Sequence, residues 1–170
     1  IVYQGPANTD GAFIGGVEVA AQYLFTDLPA PFDGLGFQFN HTWVTTDAAF
    51  TNELVLTTFP VPGLSENTTN VVLFYEKDRI STRVAWNKRE GFLTAVQSLR
   101  GNPQYTNDYW QLDAGFSYNI TDNISVLVEG INLTDENVDQ YNVVPNSSRK
   151  QLFFISNSGR RLQAGIRVRL

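Results

Sequence analysis

The residues that could do chemistry are few, and most are suited to binding. One histidine, His41, stands alone. No serine, histidine and aspartate can be grouped with it, and no glycine-rich phosphate loop is present, so no catalytic constellation can be assembled and an enzyme is not expected. A lone histidine flanked by Phe39 and Trp43 at every second position reads as a packing or interface residue. The remaining polar chemistry falls into two sets. Glu18, Arg83, Asp113, Glu129, Arg167 and Arg169, with the amides Asn87 and Gln111, occupy alternate positions in otherwise apolar stretches. Tyr105 and Tyr141, with Tyr109 and Trp110, lie in or beside turn-rich segments. Aromatic rings stack on the faces of sugars and catechols, and side-chain amides bond hydroxyl-rich solutes. Tyr105, Tyr141, Asn87 and Gln111 are therefore the candidate ligand contacts. The ordinary alternatives are cross-strand polar pairing for the amides and charges and an interfacial aromatic belt for the rings, which is the preferred account of Trp110.

Two further patterns have simpler explanations. Asp122 and the pair Asp135–Glu136 offer carboxylates for calcium, but their spacing matches no calcium loop, and turn chemistry accounts for them; no metal or cofactor is expected. Six N-x-S/T triplets begin at Asn40, Asn67, Asn119, Asn123, Asn132 and Asn146. Several fall within expected strands, and richness in Asn and Thr generates such triplets, so they are read as unmodified.

Composition narrows the class. The chain has 170 residues, enough for a sizeable core. Charged residues make up only 17%, against 42% hydrophobic, with 12 Phe, 7 Tyr and 3 Trp. Mean hydropathy is nevertheless −0.18, because Asn, Thr, Gln and Ser dilute the apolar residues. That mixture fits pleated strands. The net charge of −5 argues against a nucleic-acid partner. Cysteine is absent, which excludes disulfides and thiolate metal sites. Nothing approaches 18 uninterrupted apolar residues, so a membrane-spanning helix is not expected. The chain begins at I-V-Y-Q-G without a leader, as a fragment or processed piece would.

The elements that position these residues are strands. Alternation predicts seven, over about Phe13–Thr26, Leu35–Thr46, Asn67–Lys77, Ile80–Phe92, Asp108–Ile120, Ile124–Asn132 and a last one from about Arg161 to Leu170. The fifth is the cleanest: Trp110, Leu112, Ala114, Phe116, Tyr118 and Ile120 alternate with Gln111, Asp113, Gly115, Ser117 and Asn119. Connections alternate in length. Short turns fall at 29–34, 77–79 and 121–123; long loops fall at 47–66, 93–107 and 136–151. All short turns therefore lie at one end of an up-and-down meander and all long loops at the other. N-I-T-D-N at 119–123 is a short turn, and N-L-T-D-E at 132–136 ends the next strand at the opposite end. A soluble β-sandwich would also alternate, but gives no reason to segregate loop lengths. A transmembrane barrel does, with its apolar outer face, aromatic girdles and polar lumen. The expected fold class is all-β: an antiparallel, up-and-down transmembrane β-barrel segment. Glu18, Arg83, Asp113, Glu129, Arg167 and Arg169 face its lumen.

Three stretches carry a family resemblance. P-G-L-S-E-N-T-T-N-V-V-L-F-Y-E-K-D-R-I-S-T-R-V-A-W-N-K-R at 62–89, Y-W-Q-L-D-A-G-F-S-Y-N-I-T-D-N-I-S-V-L-V-E-G-I-N-L-T-D-E at 109–136 and G-R-R-L-Q-A-G-I-R-V-R-L at 159–170 resemble the C-terminal barrel of TonB-dependent outer-membrane receptors. The resemblance spans most of the chain, and its wording is closest to the carbohydrate-uptake side of that family. It implies a 22-stranded barrel in the outer membrane of a Gram-negative bacterium, with residues 1–170 as its C-terminal portion and the plug domain and TonB box outside the chain. It further implies active uptake of a scarce nutrient, an oligosaccharide or an iron–siderophore, driven by the TonB complex, with outer-membrane lipid and the rest of the barrel and plug as partners. The opening P-A-N-T-D-G fits the tail of an external loop. The terminal Leu170 departs from the family's usual Phe or Trp. A passive porin and a soluble β-sandwich binding module are the alternatives.

Overall fold

The computed structural model describes residues 13–47, 50–52, 57–98, 101–144, 147 and 149–169. The opening P-A-N-T-D-G, Asn146 and Leu170 lie outside the described residues. In chain order the strands are β1 (Ile14–Leu24), β2 (Leu35–Thr46), β3 (Phe50–Asn52), β4 (Thr57–Phe59), β5 (Asn67–Lys77), β6 (Ile80–Arg89), β7 (Phe92–Ala95), β8 (Gln104–Thr106), β9 (Tyr109–Asn119), β10 (Ile124–Ile131), β11 (Val138–Val143), β12 (Lys150–Ser156) and β13 (Arg161–Val168). The protein is all-β, and every paired strand is antiparallel.

The seven strands expected from alternation form one sheet in the order β1-β2-β5-β6-β9-β10-β13, which is an up-and-down meander. Residues directly opposite each other share a face, so register assigns the sides. Across β1 and β2, Val17 faces Trp43 and Ala21 faces Phe39, while Glu18 faces Thr42 and Gln22 faces Gln38. The same parity continues: Phe37 meets Leu73, Leu73 meets Val84, Val84 meets Ala114, Phe116 meets Val128 and Val128 meets Ala164. One face is therefore apolar across its middle, with His41, Thr69 and Lys88 in a row toward the long connections. The other carries Asn40 opposite Asn70, Asn70 opposite Asn87, Asn87 opposite Gln111, and Ser125 opposite Arg167.

This apolar face is not a core. Val17, Leu73 and Ile166 are 61%, 60% and 72% exposed, and among the described residues Phe59, Ala85 and Leu93 are the buried apolar side chains. A soluble two-layer domain would cover such a face with a second layer. Aromatics flank it, with Trp43 and Trp110 toward the long connections and Tyr23 and Tyr118 toward the short turns, all exposed. Among the described residues the sheet does not close, and β1 and β13 are its edges.

The three short turns are locally determined. Asp78 takes φ 53 between Lys77 and Ile80, a conformation that Asp tolerates in a tight hairpin. At 121–123 the Thr121 hydroxyl accepts from the backbone N–H groups of Asn123 (3.3 Å) and Ile124 (3.0 Å). At 29–34 a 3-10 turn, Phe32–Gly34, packs on the end of β5. Lys77 Nζ donates to Asp33 Oδ1 at 2.5 Å, and the Tyr75 hydroxyl donates to the Pro31 carbonyl at 2.9 Å. Gly34 is required there because a Cβ would stand 2.4 Å from the Glu76 carbonyl oxygen.

The long connections depart from expectation. They are not loops throughout: β3 and β4 form a small hairpin within 47–66, and β12-β11-β8-β7 form a second, four-stranded sheet from segments read as turn-rich. The fourth expected strand also stops at Arg89, before Phe92, which opens β7. Gly91 makes the break, with its N–H bonded to Asp108 Oδ1 at 2.9 Å. These added strands are too short, or too irregular across a bulge between Gln140 and Tyr141, to show alternation.

Candidate functional site: the polar wall and the loop sheet

The polar wall is organised around one junction. Asp113 on β9 accepts from Gln111 Nε2 at 2.8 and 2.9 Å and from the backbone N–H of Asn132 at 2.9 Å. Asn132, just past β10, has φ 55 and is 3% exposed. Its side-chain oxygen accepts from the Glu136 N–H at 2.9 Å, and its amide nitrogen donates to the Glu136 carbonyl at 3.0 Å and to the Gly159 carbonyl at 3.4 Å. Asn tolerates the left-handed conformation and bonds its own local backbone. The L-D-A and N-L-T-D-E stretches thus meet in space, clamping the end of β10 to β9 and to the approach to β13. The buried amide of Asn132 is engaged within the fold.

The other wall residues divide by whether they have partners. Glu18 accepts from Asn40 Nδ2, and Glu129 accepts from Gln163 Nε2, each across a strand pair. Asn87 stands opposite Gln111 on the same face. Arg83, Arg167 and Arg169 lie on this face or in continuation of it, and among the described residues their guanidinium groups make no hydrogen bond or ion pair.

Tyr105 and Tyr141 lie on the second sheet and face each other across β8 and β11. Their rings stack with centroids 5.6 Å apart at 16°. Lys150 Nζ sits 4.3 Å from the Tyr141 ring centroid, a cation–π contact that the sequence did not point to beyond the R-K dipeptide at 149–150. Burial, and then the neighbouring Tyr141, push the Tyr105 phenol above its ordinary value of 10.0. Beneath the rings runs a polar row: Gln104 Nε2 donates to Gln140 Oε1 at 2.6 Å, and the Thr94 and Thr106 hydroxyls are 2.7 Å apart. The four candidate contacts are therefore two pairs, Asn87 with Gln111 on the wall and Tyr105 with Tyr141 on the loop sheet. No hydrogen bond or ring contact joins one pair to the other among the described residues.

His41 packs as expected, with its ring 3.9 Å from that of Trp43 and 6.5 Å from that of Phe39, and Nδ1 2.7 Å from the Thr69 hydroxyl. Asp135 takes φ 58 in the turn after Asn132.

Comparison of the chain with family models, with curated proteins and with solved structures returns no match.

Proposed function

We propose that the seven-stranded sheet is part of the wall of a transmembrane β-barrel in a bacterial outer membrane, and that the protein takes up a scarce nutrient driven by the TonB complex. The observation that carries the reading is a largely exposed face, apolar through its middle and aromatic toward both ends, with the polar row His41, Thr69 and Lys88 toward the long connections, opposed by a face rich in amides and charges. Such a face suits hydrocarbon, with the rings at its two interfaces. Lipid does not tolerate unpaired strand edges, so β1 and β13 must meet further strands, as a larger barrel of about 22 strands would supply. Short turns then face the periplasm and the long connections, with their second sheet, face outward. The stacked Tyr105–Tyr141 pair and the Asn87–Gln111 pair suit a hydroxyl-rich ligand, which favours an oligosaccharide over an iron–siderophore. The resemblance of residues 62–89, 109–136 and 159–170 to TonB-dependent receptors supports an energised transporter.

Uptake of a panel of labelled oligosaccharides and ferric siderophores by cells expressing the whole protein tests this. Accumulation that stops when the inner-membrane proton gradient is collapsed or TonB is deleted is the expected result. Uptake indifferent to both would make the protein a passive channel, and recovery of the protein in the aqueous fraction without detergent would end the membrane reading.

A further inference from the structure

We propose that the polar face holds a hydrogenphosphate-binding site built from Arg83, Arg167 and Arg169, with Glu129 selecting the protonated oxyanion. These four residues line one concavity of about 220 Å³ near the short-turn end of the sheet, together with Ser117 and Ser125. Register shows how it forms. Arg83 is opposite Gly115, and Gly115 is opposite Glu129. A Cβ on Gly115 would touch only Arg83 Cγ and Glu129 Cγ, at 3.6 and 3.9 Å, so the missing side chain leaves the floor open. Ser125 is opposite Arg167, and the backbone N–H of Arg169 is anchored on the Asn123 carbonyl at 2.9 Å.

The charge arrangement calls for an anion. The chain is acidic overall, with a net charge of −5. Yet three arginines line this one concavity, and none has an acidic partner among the described residues; the Lys77–Asp33 pair is the ion pair found there. Gathered like charges repel, and a bound anion relieves that repulsion. Guanidinium groups present planar forks of donors that match a tetrahedral oxyanion, and the Ser117 and Ser125 hydroxyls add neutral donors. Glu129 is the discriminating element. One of its oxygens accepts from Gln163, leaving the other to accept a proton. Hydrogenphosphate carries such a proton at neutral pH; sulfate carries none and would present only lone pairs to the carboxylate. The site uses a single face of the sheet, so it stands independently of whether the opposite face meets lipid.

Isothermal titration of the whole protein with inorganic phosphate and, separately, sulfate tests the assignment. Saturable phosphate binding at least tenfold tighter than sulfate binding is expected. Arg83→Gln and Arg167→Gln, both at exposed positions, should each weaken phosphate binding at least tenfold, and Arg83→Lys should not restore it, because the fork is lost. Glu129→Gln should narrow the preference for phosphate over sulfate. An absence of saturable binding, equal affinity for the two anions, or phosphate affinity unchanged in the arginine variants (an adventitious ion only) would overturn the proposal. Failure of the protein to partition into membranes would leave this test unaffected.

Discussion

Asn132 ties together the end of β10, the turn after it and the approach to β13. It combines a left-handed backbone, near-complete burial and hydrogen bonds to both sides of a chain reversal. Asn132→Gly keeps the backbone conformation and removes the bonds, at about 1–2 kcal/mol. Asn132→Ala removes the same bonds but keeps a Cβ in the left-handed conformation without the local hydrogen bonding by which Asn tolerates it, costing about 1–2 kcal/mol more than glycine. Urea midpoints of the two variants should fall in that order, with the alanine variant lower; equal midpoints would show that backbone strain plays no part. Asp33 supports a pH prediction. Its hydrogen bond to Lys77 holds the carboxyl below its ordinary value of 3.8. A lowered folded-state value means stability that is present above the ordinary range and lost as pH falls through the depressed value. Stability that is flat from pH 7 to 5 and declines below about 4 is expected from this pair. Asp33→Asn should remove its share of that decline.

At the scale of elements, the seven long strands were legible because each runs 8–12 residues with an apolar side and a polar side. Their turns carried recognisable chemistry in Pro31–Gly34, Asp78 and Thr121. The four-stranded sheet was not legible. Q-Y-T is too short to show a period, and K-Q-L-F-F-I-S breaks alternation at a bulge opposite Gln140 and Tyr141. Tyr105 and Tyr141 could be singled out as aromatic residues in turn-rich segments, but their stacking depends on β8 pairing with β11, 36 residues further along. Tyr141→Ala removes the ring stack and the Lys150 contact, together about 1–3 kcal/mol. Hydrogen exchange should then speed up about fivefold or more in β8 and β11 and stay unchanged in β2 and β5, since the effect is local to one sheet. Equal acceleration in both sheets would mean they unfold as one unit.

At the scale of the molecule, the question is what the exposed apolar face meets. Leu73 lies in the middle of that face and is 60% exposed. Arginine there should cost about 2–4 kcal/mol if the face is embedded in a bilayer, and little if it is in water. Asn70→Lys, on the opposite face, should change stability by less than about 0.5 kcal/mol. Equilibrium unfolding of the whole protein in phospholipid vesicles distinguishes the two surfaces, and a neutral Leu73→Arg would remove the face from lipid. Among the described residues β1 and β13 are the edges of the sheet, and strand edges recruit further strands wherever they are exposed.

The sequence by itself determined the all-β class, the antiparallel meander, the turn positions and the side of the sheet on which each wall residue stands. It did so because side-chain direction along a strand has a fixed period of two, which converts one-dimensional spacing into a face. Tertiary structure alone decided that the polar wall hangs on the Asp113–Asn132 junction, that Tyr105 and Tyr141 share a stack, and that Arg83 and Arg167 share a concavity although 84 positions separate them. Those relations depend on which strands pair and in what register. Pairing brings together residues whose separation along the chain carries no signal of their contact.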